Sequence, residues 1–461
     1  MLMVIALLVP TRAWAHAHLK SSEPAAGARL AAAPTAIRLW FSEQPELTMT
    51  FAVLTDSAGR TFPLGSAERE ISGLMGIVFH VVGALPAGQY TLSWRTAASD
   101  GHPSNGKLKF IVGAAVTGTS GVSPPAVTKP ATISAPDSMA GLAIAHKETL
   151  LDAGDADAAS SIGNSIARAL LFLGLLALIG AVSFKLIVLR GARTVPVELK
   201  QRMSQRAAKL GVFSAVAVIV VGLLRLYLES QMMNAMPDMP GMKGMGVSEM
   251  VMRTDWGFAF RLQLAAAAAA LVGFTMAIRR VRGGWFIAAA SALVLAITPA
   301  LGGHAAASPR FTSLMIAADW LHVLGGASWL GSLLSVMLIG VPIALTLEPV
   351  DRWPSVASLV NAFSPVALVS AGVVVASGLF ASWVHLEHLS ALWETTYGQI
   401  LIVKLLFVAI TFAIGAYNFK RVQPQLSKQI GTERLRKSAA AELGTAFLIL
   451  MVTGLLTGIS P

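Results

Sequence analysis

The 461-residue chain contains no cysteine. That excludes disulfide frameworks, Cys-ligated zinc, iron–sulfur clusters, CxxC metal motifs and a Cys-ligated blue-copper centre. Charge is scarce as well: Asp, Glu, Lys and Arg make up 13% of the residues, against roughly 25% in ordinary soluble domains. Acidic residues are the scarcer sign, 24 against 35 Lys and Arg, for a formal +11. No GxxxxGK[ST] stretch or phosphorylation domain is visible, so an ATP-driven pump has no support in the sequence. In their place stands apolar material, 55% of the residues, with a mean hydropathy of +0.66. Ordinary cores cannot hide that much apolar surface, so most of the chain is expected to lie in lipid. Methionine is plentiful at 18.

Residues 1–15 carry an apolar run from Leu2 to Val9 and end in Ala13-Trp14-Ala15. The run is too short to span a bilayer and the ending is an A-x-A cleavage pattern, so the segment reads as a signal peptide. Cleavage there leaves His16 as the first residue. Residues 16–113 hold short β-branched or alternating stretches at Ile37–Phe41, Thr48–Leu54, Gly76–Val82, Tyr90–Thr96 and Lys107–Val112. Gly- and Pro-containing turns separate them, which predicts a small all-β sandwich or barrel. Residues 114–163 are rich in Ala, Ser, Thr, Gly and Pro and read as a linker.

From residue 164 to 461 the pattern is an all-α polytopic bundle of about eight helices. The apolar segments are 164–189, 210–228, 257–278, 285–302, 314–340, 363–384, 399–417 and 440–459. Each has about the 17–25 residues that a hydrocarbon core requires. Basic clusters fall at Arg190–Lys209, Arg279–Arg282 and Lys420–Lys437, in alternate loops. The positive-inside rule puts those loops in the cytoplasm and the β domain outside, in agreement with the signal peptide. The basic surplus therefore needs no nucleic acid to explain it.

Three constellations carry chemistry, all on the expected outer side. The first is His16 with Asp100 and His102. An N-terminal histidine offers its amine and imidazole together; with a second imidazole it makes a T of three nitrogens that suits Cu(II), and Asp100 can add an axial oxygen. Spacing alone leaves a copper chelate and two ordinary surface histidines both open. His16-Ala17-His18-Leu19-Lys20-Ser21-Ser22-Glu23-Pro24, Leu39-Trp40-Phe41-Ser42-Glu43, Gly88 to Arg95 and Ser99-Asp100-Gly101-His102-Pro103 resemble, in order, the CopC family of periplasmic copper-binding proteins. The resemblance implies a cupredoxin-like β-sandwich in which His16, Asp100 and His102 match the Cu(II) ligands, with His18 as an auxiliary at a variable position. Some members add a Met-rich Cu(I) site. Only Met49 and Met75 are available here, so that second site is expected to be missing.

The second constellation is the loop after the second helix, where Met236, Met239, Met242 and Met245 recur every third residue among prolines and glycines. An extended segment of that period puts the thioethers on one face, and soft thioethers select Cu(I). The third comprises His304, Asp319 with His322 one turn later, and His385 and His388, all near outer helix ends. Ionisable groups at membrane depth usually face a bundle interior or a wet cavity; for any one of these histidines the alternative is an interfacial hydrogen bond to backbone. Gly303-His304-Ala305, Ala318 to Gly331, Tyr397 to Lys404 and Gly415-Ala416-Tyr417-Asn418 resemble the CopD family of copper-resistance membrane proteins. That resemblance implies copper import across the inner membrane, with these histidines as metal contacts. Among other intramembrane polar residues, Lys404 is expected in a buried ion pair, and Glu442 is expected to snorkel or cap.

The reading is a non-enzymatic copper importer. Its outer domain takes Cu(II), its Met loop takes Cu(I), and its partners are copper ions, the lipid bilayer and periplasmic copper proteins. Two alternatives belong to other classes: a sequestering protein anchored by its bundle, and a haem or copper membrane oxidoreductase. The importer leaves a redox gap, because the His/Asp site prefers Cu(II) and thioethers prefer Cu(I).

Overall fold

The computed structural model describes residues 19–42, 44–71, 73, 75–97, 103–113, 154–234, 247–307, 311–386, 388–426 and 429–458. The N-terminal part is a two-sheet β-sandwich. One sheet has the order β1 (Leu19–Glu23), β3 (Ala36–Phe41), β7 (Gly76–His80), β6 (Glu68–Arg69). The other has the order β2 (Arg29–Leu30), β9 (Pro103–Val112), β8 (Gly88–Ala97), β4 (Phe51–Asp56), β5 (Thr61–Phe62). Among the described strands, only the β2–β9 pair is parallel. Tyr90, Leu92 and Trp94 alternate along β8 and all point inward, as a period of two requires. They face Phe110, Leu108 and Gly106 across the ladder. A side chain at Gly106 would put its Cβ 2.6 Å from the Trp94 ring, so the indole occupies the space that glycine leaves. Trp94 in turn meets Phe41 of the other sheet edge-on, with centroids 5.1 Å apart. The Tyr90 hydroxyl donates to the Pro86 carbonyl at 2.6 Å and fixes the turn that leads into β8.

The sequence places a strand at Thr48–Leu54, but Leu47–Met49 is a 3-10 turn and the strand runs from Phe51 to Asp56. The turn is favoured because Thr50 bonds back to the Glu46 carbonyl at 2.6 Å and to the Thr96 hydroxyl at 2.7 Å.

Among the described residues, eight helices are long and apolar enough to span a membrane. They are α1 (Gly154–Ser183), α2 (Val197–Asn234), α4 (Asp255–Ile278), α5 (Gly284–Leu301), α6 (Thr312–Gly326), α7 (Pro349–His385), α8 (Thr396–Tyr417) and α9 (Gln429–Leu456). A short α3 (Val247–Arg253) precedes α4. Several helices run past the apolar segments: α2 and α7 have 38 and 37 residues, because the helix continues through their basic or polar first turns. Helix α1 is the hub, packed on α2, α5, α9 and the segment Ala327–Ser335 that follows α6. Its Gly180 lies against the Gly331 backbone with no room for a Cβ on either residue, which lets α1 and that segment touch main chain to main chain.

Four π-turns interrupt the spanning helices: Phe184–Val188 after α1, Ala327–Gly331 and Val336–Gly340 after α6, and Asn418–Val422 after α8. Such bulges concentrate at functional positions because they re-aim one side chain without ending the helix.

Candidate functional site

The site begins at one end of the sandwich. Strand β1 starts at Leu19, opposite Phe41, and the Phe41 ring rests on Trp94, three residues before the end of β8. Ala97 and Pro103 pair directly across β8 and β9. The chain that leads back to His16 and the loop 98–102 that carries Asp100 and His102 therefore leave the sandwich from the same end. His16, Asp100 and His102 themselves lie outside the described residues.

That same end docks on the membrane bundle. Met49 and Ala97 of the sandwich join Met250 of α3 with Trp256 and Phe260 of α4 in one buried apolar cluster. Trp256 stacks on Phe260 at 5.3 Å and 4°. The Glu46 carboxylate accepts the Asp255 backbone N–H at 3.0 Å, at the first residue of α4. An exposed helix N-terminus leaves its first N–H groups without partners, so a carboxylate placed there satisfies one of them. Burial pushes the Glu46 carboxyl above its ordinary value; the Asp255 N–H and Arg69 pull it back by less, while the Asp255 charge adds to the rise. Arg69 is held somewhat below its usual range by the same burial.

Beneath the dock is a cavity of about 820 Å³. Trp256 and Phe260 line it on one side while touching the sandwich on the other. Most of the lining is apolar, with polar groups from six helices among it: Arg168 of α1, Arg225 of α2, Gln263 of α4, Asp319 and His322 of α6, Ser377 of α7, Tyr397 and Lys404 of α8. Helical rise gives the depth of two of them. His322 is ten residues from the start of α6 and Lys404 eight from the start of α8, roughly 12–15 Å inward at 1.5 Å per residue. His322 Nδ1 and the Ser377 hydroxyl are 3.0 Å apart. Asp319, Tyr397 and Lys404 line the same cavity.

The floor of the cavity is Trp329, on the π-turn after α6. Its indole N–H donates to Glu442 Oε1 at 3.1 Å, and Asn418 Nδ2 donates to Oε2 at 3.0 Å. Glu442 is 3% exposed, so the expectation that it snorkels or caps fails: the bundle interior holds it with two neutral donors.

Of the membrane histidines, only His322 has a described side chain in the cavity lining. His304 opens the short helix His304–Ala307 and His385 closes α7. Their side chains lie outside the described residues, but Gly303, Ala305 and Leu386 beside them line the cavity. His388 is exposed in the turn after α7, between the lining residues Leu386 and Leu389, and is not itself part of the lining. Met236, Met239, Met242 and Met245 lie outside the described residues, in the connection from α2 to α3 that ends at the dock. Among the described residues, no group of three or more His, Asp or Glu is arranged to hold a metal ion. Sequence reasoning missed Glu46, Trp256, Ser377 and Trp329. Glu46, Trp256 and Ser377 are single residues in unremarkable runs; Trp329 lies in the Ala318 to Gly331 stretch that resembles the CopD family, but only its contacts give it a role.

These features define a multi-pass membrane protein with a β-sandwich seated on the mouth of an intramembrane cavity. Three family models account for most of the chain: the CopC domain over residues 19–113, the copper resistance protein D-like N-terminal domain over 158–309, and copper resistance protein D over 357–456. The chain belongs to the copper-resistance family that joins a CopC domain to a CopD membrane domain. It is 24% identical to the copper transport protein CutJ of Bacillus subtilis over 457 residues, 97% of this chain and 75% of that one. Copper resistance protein C of Pseudomonas syringae pv. tomato is 35% identical over 111 residues, 23% of this chain and 87% of that one. Among solved structures, the methionine-rich copper resistance protein PcoC from Escherichia coli is 32% identical, covering 21% of this chain and 98% of that one, with a TM-score of 0.20.

Proposed function

We propose that this chain imports copper across the bacterial inner membrane, with residues 16–113 as a periplasmic capture domain released from a signal peptide at 1–15. Residues 114–163 then form the linker, and residues 164–461 form the transport domain. His16, Asp100 and His102 hold Cu(II) at the docking end of the sandwich. Met236, Met239, Met242 and Met245 offer Cu(I) thioethers beside the same mouth. His322 receives copper in the cavity, with His304, His385 and His388 at its rim. The observation that supports hand-off most directly is the dock: Ala97 borders the loop expected to hold copper, and it packs on Trp256 and Phe260, which line the cavity. Capture and entry are thus one short step apart.

Importer, sequestering protein and oxidoreductase differ in outcome. Cells expressing the full chain, its His102→Ala variant and its His322→Ala variant are compared for cytosolic copper, and the purified proteins are titrated with Cu(II). Import predicts high cytosolic copper in the parent alone. His102→Ala should weaken Cu(II) binding by more than about a hundredfold, beyond the loss typical of an outer-shell partner. His322→Ala should bind Cu(II) normally and deliver less. Copper retained only outside points to sequestration, and a Soret band in the purified parent points to a haem protein. Unchanged uptake by His322→Ala removes that residue from the pathway.

A further inference from the structure

Below the cavity floor, the inner half of the bundle holds one carboxylate that the transport reading does not use. Glu442 is 3% exposed and sits on α9. The charged groups on the elements packed against it are Glu433, Arg434, Arg436 and Lys437 on α9 itself, Lys404 on α8, Lys420 and Arg421 on the π-turn after α8, Arg168 on α1, and Asp351 and Arg352 on α7. Among the described residues, none of these forms an ion pair with it. A carboxylate buried without a cation is costly, several kcal/mol or more, unless it can be neutralised. Its two partners, the Trp329 indole and the Asn418 amide, are both neutral.

The Asn418 amide shows how a second state is accommodated. Its Nδ2 donates to the carboxylate, while its Oδ1 is buried with no hydrogen-bond partner. An amide turned over presents that oxygen to a protonated carboxyl, so the same side chain serves both states of Glu442. A polar stripe also leads to it from the cavity. Lys404, Thr411 and Asn418 follow at seven-residue intervals on one face of α8 and its π-turn. Lys404 and Thr411 line the cavity. The Thr411 and Thr445 hydroxyls are 2.8 Å apart, and Thr445 Oγ1 donates to the Glu442 carbonyl at 2.9 Å. Glu442 is in turn tied to the cavity floor through Trp329.

We propose that Glu442 is a proton-binding site that couples copper movement to the transmembrane proton gradient, with protons arriving from the outer cavity past Thr411. The proposal rests on the transport reading and supplies its missing energy source. Proton uptake at Glu442 weakens the Trp329 hydrogen bond, since a neutral carboxyl accepts less strongly than a carboxylate, and proton loss to the inner side restores it. Copper and protons therefore move inward together.

The test uses the full chain reconstituted in liposomes and supplied with Cu(II) chloride, with and without ascorbate, under a gradient that is acid outside. The gradient should accelerate uptake by the parent, and Glu442→Gln should lose that acceleration. Glutamine keeps an oxygen for the Trp329 N–H and gains an N–H for Asn418 Oδ1, so the fold should survive. A pH-difference infrared spectrum of the parent should show a protonated-carboxyl stretch that Glu442→Gln lacks. Equal acceleration in both proteins, or the same carboxyl band in both, overturns the proposal. If neither protein moves copper, the import reading fails by itself, and the infrared comparison still decides whether Glu442 takes up a proton.

Discussion

In the sandwich, the inward residues of the strands are apolar, and the buried polar residues Glu46, Thr50, Thr96 and Ser104 gather at the docking end. In the bundle, Asn164, Arg168, Glu229, Gln263, Ser332, Thr411 and Glu442 are buried throughout the interior, while Phe213, Phe286, Leu368 and Val369 face outward. The two regions solve opposite solvation problems. A water-soluble sheet can leave polar groups at its edges, so polarity within it marks a contact. A bundle in lipid must turn polarity inward, because hydrocarbon offers no hydrogen bonds. The two arrangements meet at Glu46 and Trp256, above the cavity.

Substitutions that offend each region's packing should break this comparison unequally. The largest effect is expected in the bundle from Gly180→Val. Its Cβ has no room against the Gly331 backbone, and main chain cannot step aside as a side chain can. The cost should exceed the 1–3 kcal/mol typical of overpacking, and a loss of folded protein on size exclusion in detergent would register it. Leu92→Ala, in the sandwich, removes a side chain that is 0% exposed. It should cost about 2–5 kcal/mol, read as a lower first transition on thermal unfolding with the bundle's transition unmoved.

The smallest effect sharpens the meeting point. Glu46 binds its proton more readily when docked than when free, since burial raises it from an ordinary value near 4.5. Docking is therefore favoured most at low pH and weakens as pH rises through the raised value, where the docked carboxylate must carry charge. Glu46→Gln keeps an acceptor for the Asp255 N–H without that charge. It should flatten the pH dependence and strengthen docking slightly, by up to about 1 kcal/mol. Hydrogen exchange of the Ala97 and Asp255 amides between pH 4 and 7 (roughly the carboxylate range) measures it. A dependence that survives in Glu46→Gln would assign it to another group.

Much of the architecture was readable in the chain because it rests on local rules. Alternation along Tyr90–Trp94 predicts a half-buried strand, and the eight apolar segments predict eight spans. Helix ends were less legible. Helices α2 and α7 continue well into polar sequence, where helix propensity and neighbouring helices outweigh the change of solvent. The site was legible in its chemical types but not in its assembly. His322 and Asp319 stood out as ionisable groups in an apolar run. Ser377, 55 residues away on α7, did not, since a lone serine in a helix carries no signal. Glu442 stood out by type, and its role was misread because a carboxylate near the inner edge ordinarily snorkels.

The order of elements, the two solvents they occupy and the kinds of metal-binding side chain present were determined by the sequence alone, through periodicity, composition and ligand softness, each of which acts over a few neighbouring residues. Only the tertiary structure decided that the docking end of the sandwich meets Trp256, that one cavity gathers residues from eight helices, and that Trp329 at its floor is held by Glu442. Those contacts join residues up to 209 positions apart, and close packing in three dimensions, rather than any local preference, selects them.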